Sequence, residues 1–203
     1  RSFHVTGVQT CALPIYILTD KLAGKPMTDL AVPLDELVKQ HLQWVETGGS
    51  AGKPADLSDF DLRRAPSLTR ANLTALKAER ATFYGLGLEG AMLQGAKLQG
   101  ADLRTCRLSV ADLRGAQLQG AMLNHADLRD ANLDPLPIAP GREFVTNLEG
   151  AQLRCADLRG ARLRRAILRG ADLTEANLSN ADLQDSTLEG AKLTQARKAA
   201  AAG

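Results

Sequence analysis

The stretch Ala91-Met92-Leu93-Gln94-Gly95-Ala96-Lys97-Leu98-Gln99-Gly100-Ala101-Asp102-Leu103-Arg104 decides how this chain folds. Leucine falls on every fifth residue, and alanine stands two residues before each leucine. The register runs from Leu93 to Leu133 and resumes unchanged from Leu148 to Leu193; Cys106, Thr146 and Ser186, all small, replace alanine. An α-helix turns about 100° per residue, so a period of five scatters leucines around the whole cylinder. A flat strand alternates faces, so an odd period sends successive leucines to opposite sides. Only a chain that turns once per repeat keeps them together. Alanine and leucine, two apart, share one face of a short extended piece. The next two positions, polar or glycine, make the turn. With leucine inward at every turn, the chain winds into a solenoid.

Units such as Ala101-Asp102-Leu103-Arg104, Ala171-Asp172-Leu173-Thr174 and Ala176-Asn177-Leu178-Ser179 resemble the A-(D/N)-L-x-x unit of pentapeptide-repeat proteins, over residues 55–197. The resemblance implies an all-β solenoid, a right-handed quadrilateral parallel β-helix with four repeats per coil and Leu and Ala inward. At about 4.8 Å per coil, six to seven coils give a rod of roughly 30 Å. Four leucines per coil are expected to fill the axis and leave no lumen, hence no pocket. Aromatic residues are only 3% of the 203, which suits a core of stacked Leu and Ala.

Outside the repeats the chain divides as follows. Residues 5–15, Val-Thr-Gly-Val-Gln-Thr-Cys-Ala-Leu-Pro-Ile, read as a translated sequencing adaptor, so residues 1–15 are expected to be an artefact without order. The true start is then unknown, and the chain reads as a piece of a longer protein. The apolar run Cys11 to Leu18 is too short to span a membrane. Residues 16–54 form an N-terminal segment containing one amphipathic helix, about 33–47. Pro33 suits a first turn and Asp35 and Glu36 suit the dipole. Leu34, Leu37, Val38, His41, Leu42, Trp44 and Val45 give an apolar face, and Gly48 stops the helix. This segment resembles the lead-in of some pentapeptide-repeat domains, and its expected role is an N-terminal α-helical cap over the open first coil. One extra residue between Leu62 and Leu68 predicts an irregular start. The pattern also fails at 134–147, where three prolines and a glycine predict an excursion. Residues 198–203 are a tail, read as a frayed helix or the start of another domain.

Chemistry is scarce in this pattern. Inward titratable residues are almost absent, and no catalytic constellation, cofactor site or metal-ligand spacing is found. The row Asp102, Asp112, Asp127, Asp157, Asp172 and Asp182, one before each leucine, reads as a solvated turn position. His125 stands alone on the surface. Cys106 is inward and Cys155 outward, so no bridge between them is expected, and reduced thiols are the default.

These features predict a non-catalytic scaffold or interaction module, bacterial and cytoplasmic, with a protein partner and no membrane span. An open coil end also offers a homodimer contact. A net charge of +2 argues against nucleic acid. The alternative comes from the resemblance: some pentapeptide-repeat proteins mimic B-DNA and bind DNA gyrase, protecting it from quinolones. Duplex DNA carries about one charge per 1.7 Å, so a mimic of this length needs on the order of 18 excess negatives. From Ala71 to Ala196 the chain has 15 Lys+Arg and 15 Asp+Glu, a difference of zero. Two surfaces compete for the partner. One is the excursion, with Leu136, Ile138, Phe144 and Val145. Its rival is a basic belt of Arg154, Arg159, Arg162, Arg164, Arg165 and Arg169, in which Arg162, Arg164 and Arg165 are the core.

Overall fold

The computed structural model describes residues 24–198. The expectations for residues 1–15 and for the tail after Lys198 therefore lie outside the described residues. Within them, the residue before each leucine pairs in parallel with its equivalent one coil on. Asn72 pairs with Met92, Met92 with Asp112, and Asp112 with Asn132. The spacing is twenty residues, so four pentapeptides complete one coil.

One repeat shows how the backbone is satisfied. Leu93 N–H donates to Asp112 of the next coil at 2.7 Å, and Gly95 N–H to Arg114 at 2.9 Å. Met92 N–H donates to Ala71 of the previous coil at 2.9 Å. Ala96 N–H closes the corner on Leu93 at 3.0 Å. Four amides are thus used, and the fifth, just after leucine, has no ladder partner. Asp or Asn before the leucine supplies it. Asp102 Oδ1 accepts from Arg104 N–H at 3.2 Å, and Asp127, Asp157, Asp172 and Asn177 accept in the same way from the residue two on. This is the physical reason for A-(D/N)-L: an Asx turn completes the hydrogen-bond inventory of the corner. The last corner residue has φ near +60°, as at Gly95 and Val110.

Leucines from Leu57 to Leu178 and their alanine partners form one buried column that fills the axis, as expected. Leu76 and Ala78 exchange places and both remain fully buried, because the exchange roughly conserves volume. The extra residue near the start is visible as a spacing of twenty-one, with Asp56 paired to Lys77 and Asp61 to Thr82.

The two ends differ. At the N-terminal end, β1 (Lys25–Pro26) adds a parallel strand to β2 (Phe60–Asp61). A 3₁₀ turn (Met27–Asp29) leads to α1 (Leu34–Glu46). Pro33 is the N-cap rather than the first helical residue. Leu34 and His41 are buried, and Leu37 and Val38 pack against the core. These positions recur at i, i+3, i+4 and i+7 and form one stripe. Leu42 falls off it and is exposed, contrary to the reading of a broader apolar face. His41 Nδ1 accepts the Ala55 N–H at 3.0 Å, tying the helix to the first coil, and its ring stacks on Trp44. At the other end, β5 (Asn177–Leu178) pairs with β6 (Arg197–Lys198) in parallel. The solenoid ladder therefore reaches Lys198, the first residue of the segment read as a tail. Leu183, Leu188 and Leu193 of this last coil are only half-buried.

Cys106 is a buried free thiol whose pKa burial pushes up to about 12. Cys155 is disulfide-bonded, so the reduced-thiol expectation fails there.

Candidate functional site

The excursion is a β-hairpin. Strand β3 (Leu136–Ala139) pairs antiparallel with β4 (Arg142–Phe144), with a bulge at Ile138 and a turn through Pro140 and Gly141, whose φ is +69°. Proline followed by glycine with positive φ is the chemistry of a tight type II turn. Asn132 pairs with Arg162 before the departure, and Asn147 pairs with Gln117 after the return. The hairpin therefore leaves and re-enters at one corner, and the faces of the solenoid continue on both sides of it.

Leaving the coil interrupts the ladder, and Thr146 repairs it. In the intact corner, Gly95 N–H finds the Arg114 carbonyl. At the hairpin the equivalent amide, Gly115 N–H, donates to Thr146 Oγ1 at 2.8 Å. The hydroxyl lies 3.2 Å from the Leu113 carbonyl and 3.1 Å from that of Asp134, so it donates to this pair. Thr146 is fully buried in the alanine position. The sequence marks it only as a small residue; its hydroxyl is what the site needs.

Three arginines fix the hairpin from the C-terminal side. Asp134, at its root, is 3% exposed. Its Oδ2 accepts from Arg162 Nη2 and Arg164 Nη2, both at 2.5 Å, and its Oδ1 accepts the Arg164 backbone N–H at 3.1 Å. Burial alone would raise the Asp134 pKa, but the Arg164 hydrogen bond and the Arg162 charge outweigh it and hold the carboxyl below its usual range. Arg165 Nη2 lies 2.6 Å from Glu143 of β4. A cleft of about 480 Å³ lies between these arginines and the hairpin, with Pro135 and Pro137 on its wall. The axis is filled, as expected, but the expectation of no pocket overlooked this surface cleft.

The other side of the hairpin is apolar. Leu136 and Phe144 are cross-strand partners and lean on the neighbouring corner. A Cβ on Gly115 would stand 2.9 Å from the Cβ atoms of both, so only glycine permits this approach. Leu136 also reaches the Gly95 corner, one coil nearer the N-terminus. Gln117 Nε2 donates to the Val145 carbonyl at 3.3 Å. Leu136 and Val145 are half-buried, whereas Ile138 is 41% and Phe144 52% exposed.

Thus the two surfaces proposed as rivals meet at one corner. The rest of the belt is paired as well: Arg159 with Asp157 at 2.6 Å, Arg154 with Asp172 at 3.7 Å and Arg169 with Glu189 at 3.5 Å. The aspartate row is likewise matched. Arg104, Arg114 and Arg129 clasp Asp102, Asp112 and Asp127. Among the described residues, no helix is long and apolar enough to cross a membrane.

A parallel solenoid of four-repeat coils, with an Asx turn at its corners and one hairpin let into a corner, defines a repeat protein whose unit is five residues. The sequence matches the family described as "Pentapeptide repeats (8 copies)" at residues 67–109, 111–134, 146–170 and 168–197, and the chain belongs to that family. Membership brings with it the right-handed β-helix. Among solved structures, a trypsin-treated variant of QnrB1, titled a plasmid-mediated fluoroquinolone resistance protein, is 20% identical, covers 64% of this chain and 58% of its own, and has a TM-score of 0.38. HetL, a pentapeptide repeat protein from Nostoc sp. strain PCC 7120 titled as involved in heterocyst differentiation regulation, is 24% identical, covers 75% and 92%, and has a TM-score of 0.25. Rfr23 from the cyanobacterium Cyanothece 51142 is 30% identical, covers 56% and 63%, and has a TM-score of 0.20. The match spans less than two thirds of that QnrB1 variant's chain and of the Rfr23 chain. No curated protein matches it.

Proposed function

We propose that this chain is a non-catalytic protein-interaction module of the bacterial cytoplasm, in which a rigid β-helix over residues 55–197 presents the hairpin at 134–147 to a protein partner. The N-terminal segment, with α1 and β1, caps the first coil. The observation that carries the reading is the construction of the hairpin. A buried aspartate, a buried threonine and a glycine too close for any other residue hold it in place, yet Ile138 and Phe144 are left in water. A stiff loop on a rigid scaffold loses little entropy on binding. Leu136, Ile138, Phe144 and Val145 form the recognition surface; Arg162, Arg164 and Arg165 secure its root. The gyrase-mimic alternative needs a continuous negative face, and the aspartates that could supply one are clasped by arginines.

The test is replacement of Pro135 to Glu143 by two glycines, followed by affinity capture from a bacterial lysate and mass spectrometry. Partners retained by the wild type should disappear while the thermal melt stays cooperative. Capture of the same partners by a folded, hairpin-less variant would exclude the hairpin as the recognition element. A DNA gyrase subunit among the lost partners would favour the alternative.

A further inference from the structure

The hairpin rearranges the charges of the coils on its C-terminal side. Arg165 and Asp185 occupy the same corner on successive coils, with φ of 57° and 58°. The backbone N–H of Arg165 donates to Gln184 at 2.8 Å. Asp59 and Arg80 stand in the equivalent relation at another corner, and there the side chains join through hydrogen bonds of 2.6 and 2.7 Å. Arg165 turns instead to Glu143 of β4. The Asp185 carboxylate is left exposed, with no ion pair or hydrogen bond among the described residues. The coil that carries Arg165 holds a second imbalance. Arg162 and Arg164 both donate to one oxygen, Asp134 Oδ2. Arg164 gives it two N–H bonds and has Asp182 at 3.8 Å as well. Arg162 gives it one, and the rest of its five donors meet no protein acceptor among the described residues. Its side chain is 51% exposed. Arg162 and Asp185 both line the cleft of about 480 Å³, whose wall is Pro135 and Pro137. With Asp112 and Asp182 counted in, the cleft and its rim hold four arginines and five acids. Such a balance steers no polyanion. What the cleft offers is a donor at Arg162 and, apart from it, an acceptor at Asp185.

We propose that the cleft between the hairpin and Arg162, Arg165 and Asp185 docks an extended segment of a partner protein that carries one acidic and one basic side chain. This rests on the interaction-module reading and names the chemistry its partner must show. The carboxylate takes two adjacent N–H groups of Arg162, the bidentate geometry a guanidinium favours. The Lys or Arg takes Asp185. The two sites are three residues apart along the coil and one rung apart, on the order of 10 Å. An extended chain covers that span in about three residues, so the acid and the base stand three or four positions apart. The residues between them pack on the rings of Pro135 and Pro137. Side chains, not strand addition, make the contact, because those prolines have no N–H to offer a new strand.

The experiment is panning of a displayed library of random twelve-residue peptides on the immobilised full chain, in parallel with Asp185→Lys and Arg162→Gln. The expected result is enrichment of peptides with Asp or Glu three or four positions from Lys or Arg. A labelled consensus peptide should lose about tenfold in affinity on Asp185→Lys. Panning on that variant should select an acid in place of the base and keep the other acid. On Arg162→Gln the peptide should lose about threefold or more. Asp185 is exposed and unpaired, and Arg164 still holds Asp134 when Arg162 is replaced, so unchanged melting curves show that both variants remain folded. No enrichment, a consensus without a basic residue, or a peptide indifferent to Asp185→Lys overturns the inference. So does undiminished peptide binding after Pro135 to Glu143 are replaced by two glycines, which removes the proline wall. Arginine-dependent binding of inorganic phosphate or a labelled duplex DNA in place of peptide overturns it too. A lysate partner that needs the hairpin but neither Asp185 nor Arg162 refutes the cleft and leaves the module reading intact.

Discussion

The uninterrupted rungs from Ala91 to Asn132 and the segment from Asp134 to Asn147 that follows them meet the same demand by opposite means. In the rungs, each backbone amide is satisfied by a rule that repeats: three ladder bonds, one corner bond and an Asx turn where Asp or Asn is present. Apart from Gly115, which clears space for the hairpin, each residue there has a role that the next repeat repeats. In the hairpin each need is met once, by one residue. Thr146 replaces a missing carbonyl, Asp134 gathers two arginines, and Gly115 clears space. Regularity provides stiffness, and the departures from it provide the features by which one such protein can be told from another.

The sharpest break of this comparison is within the rungs. Leu158→Arg puts a charge into the packed axis without a partner, a cost of several kcal/mol, and no soluble folded protein is expected. Asp157→Ala, one residue earlier, removes an Asx turn and an exposed pair with Arg159 and should cost about 1 kcal/mol or less. Equal melting losses for the two would refute the inward assignment of leucine. At the hairpin, Thr146→Val keeps the shape but leaves the buried Gly115 amide unpaired. The expected loss is about 1–3 kcal/mol, read by denaturant unfolding.

The helix is a second one-off feature, and it titrates. Burial holds the His41 pKa below the ordinary imidazole value, with a smaller opposing contribution from the Thr74 backbone. Unfolded His41 takes up a proton near pH 6.5, whereas the folded ring resists it because Nδ1 must accept from Ala55. The unfolded state thus binds more protons, and stability is complete above that pH and declines as pH falls below it. Emission from Trp44, the sole tryptophan, should shift as the helix loosens on acidification from pH 7.5 to 5.5. His41→Leu should flatten this profile; an unchanged shift would assign it elsewhere. The smallest effect is at a corner. Val110 has φ +60° and is 67% exposed. A left-handed conformation costs a β-branched residue about 1–2 kcal/mol, part of which glycine returns through its flexibility when unfolded. Val110→Gly should raise the melting temperature by about 2 °C.

The period of five made the coil, its core and even the irregular start legible, because each follows from where leucine must point. The helix was legible for the same reason, though Leu42 shows that an apolar residue can lie off the stripe. The hairpin was legible only as a gap. Three prolines say where the ladder stops, but the path depends on contacts between residues about thirty positions apart, such as Asp134 with Arg162 and Arg164. Those arginines read as a free basic belt because the acids that engage them lie on neighbouring coils or, for Glu143, on the hairpin. Thr146 carried a faint signal: a hydroxyl where alanine is the rule. Such an exception marks a place where the backbone lacks a partner.

The hairpin enters and leaves the solenoid through a single corner, and the faces above and below keep their alignment. A corner of this kind works as a socket. What it demands of an inserted segment is that its ends meet and that one hydroxyl replace the lost carbonyl, not that its length follow the repeat. Lineages built on this scaffold can therefore exchange one projecting segment for another without redesigning the rod. An engineer can do likewise, grafting a foreign loop between Asp134 and Thr146 and retaining both of those residues as its clasp.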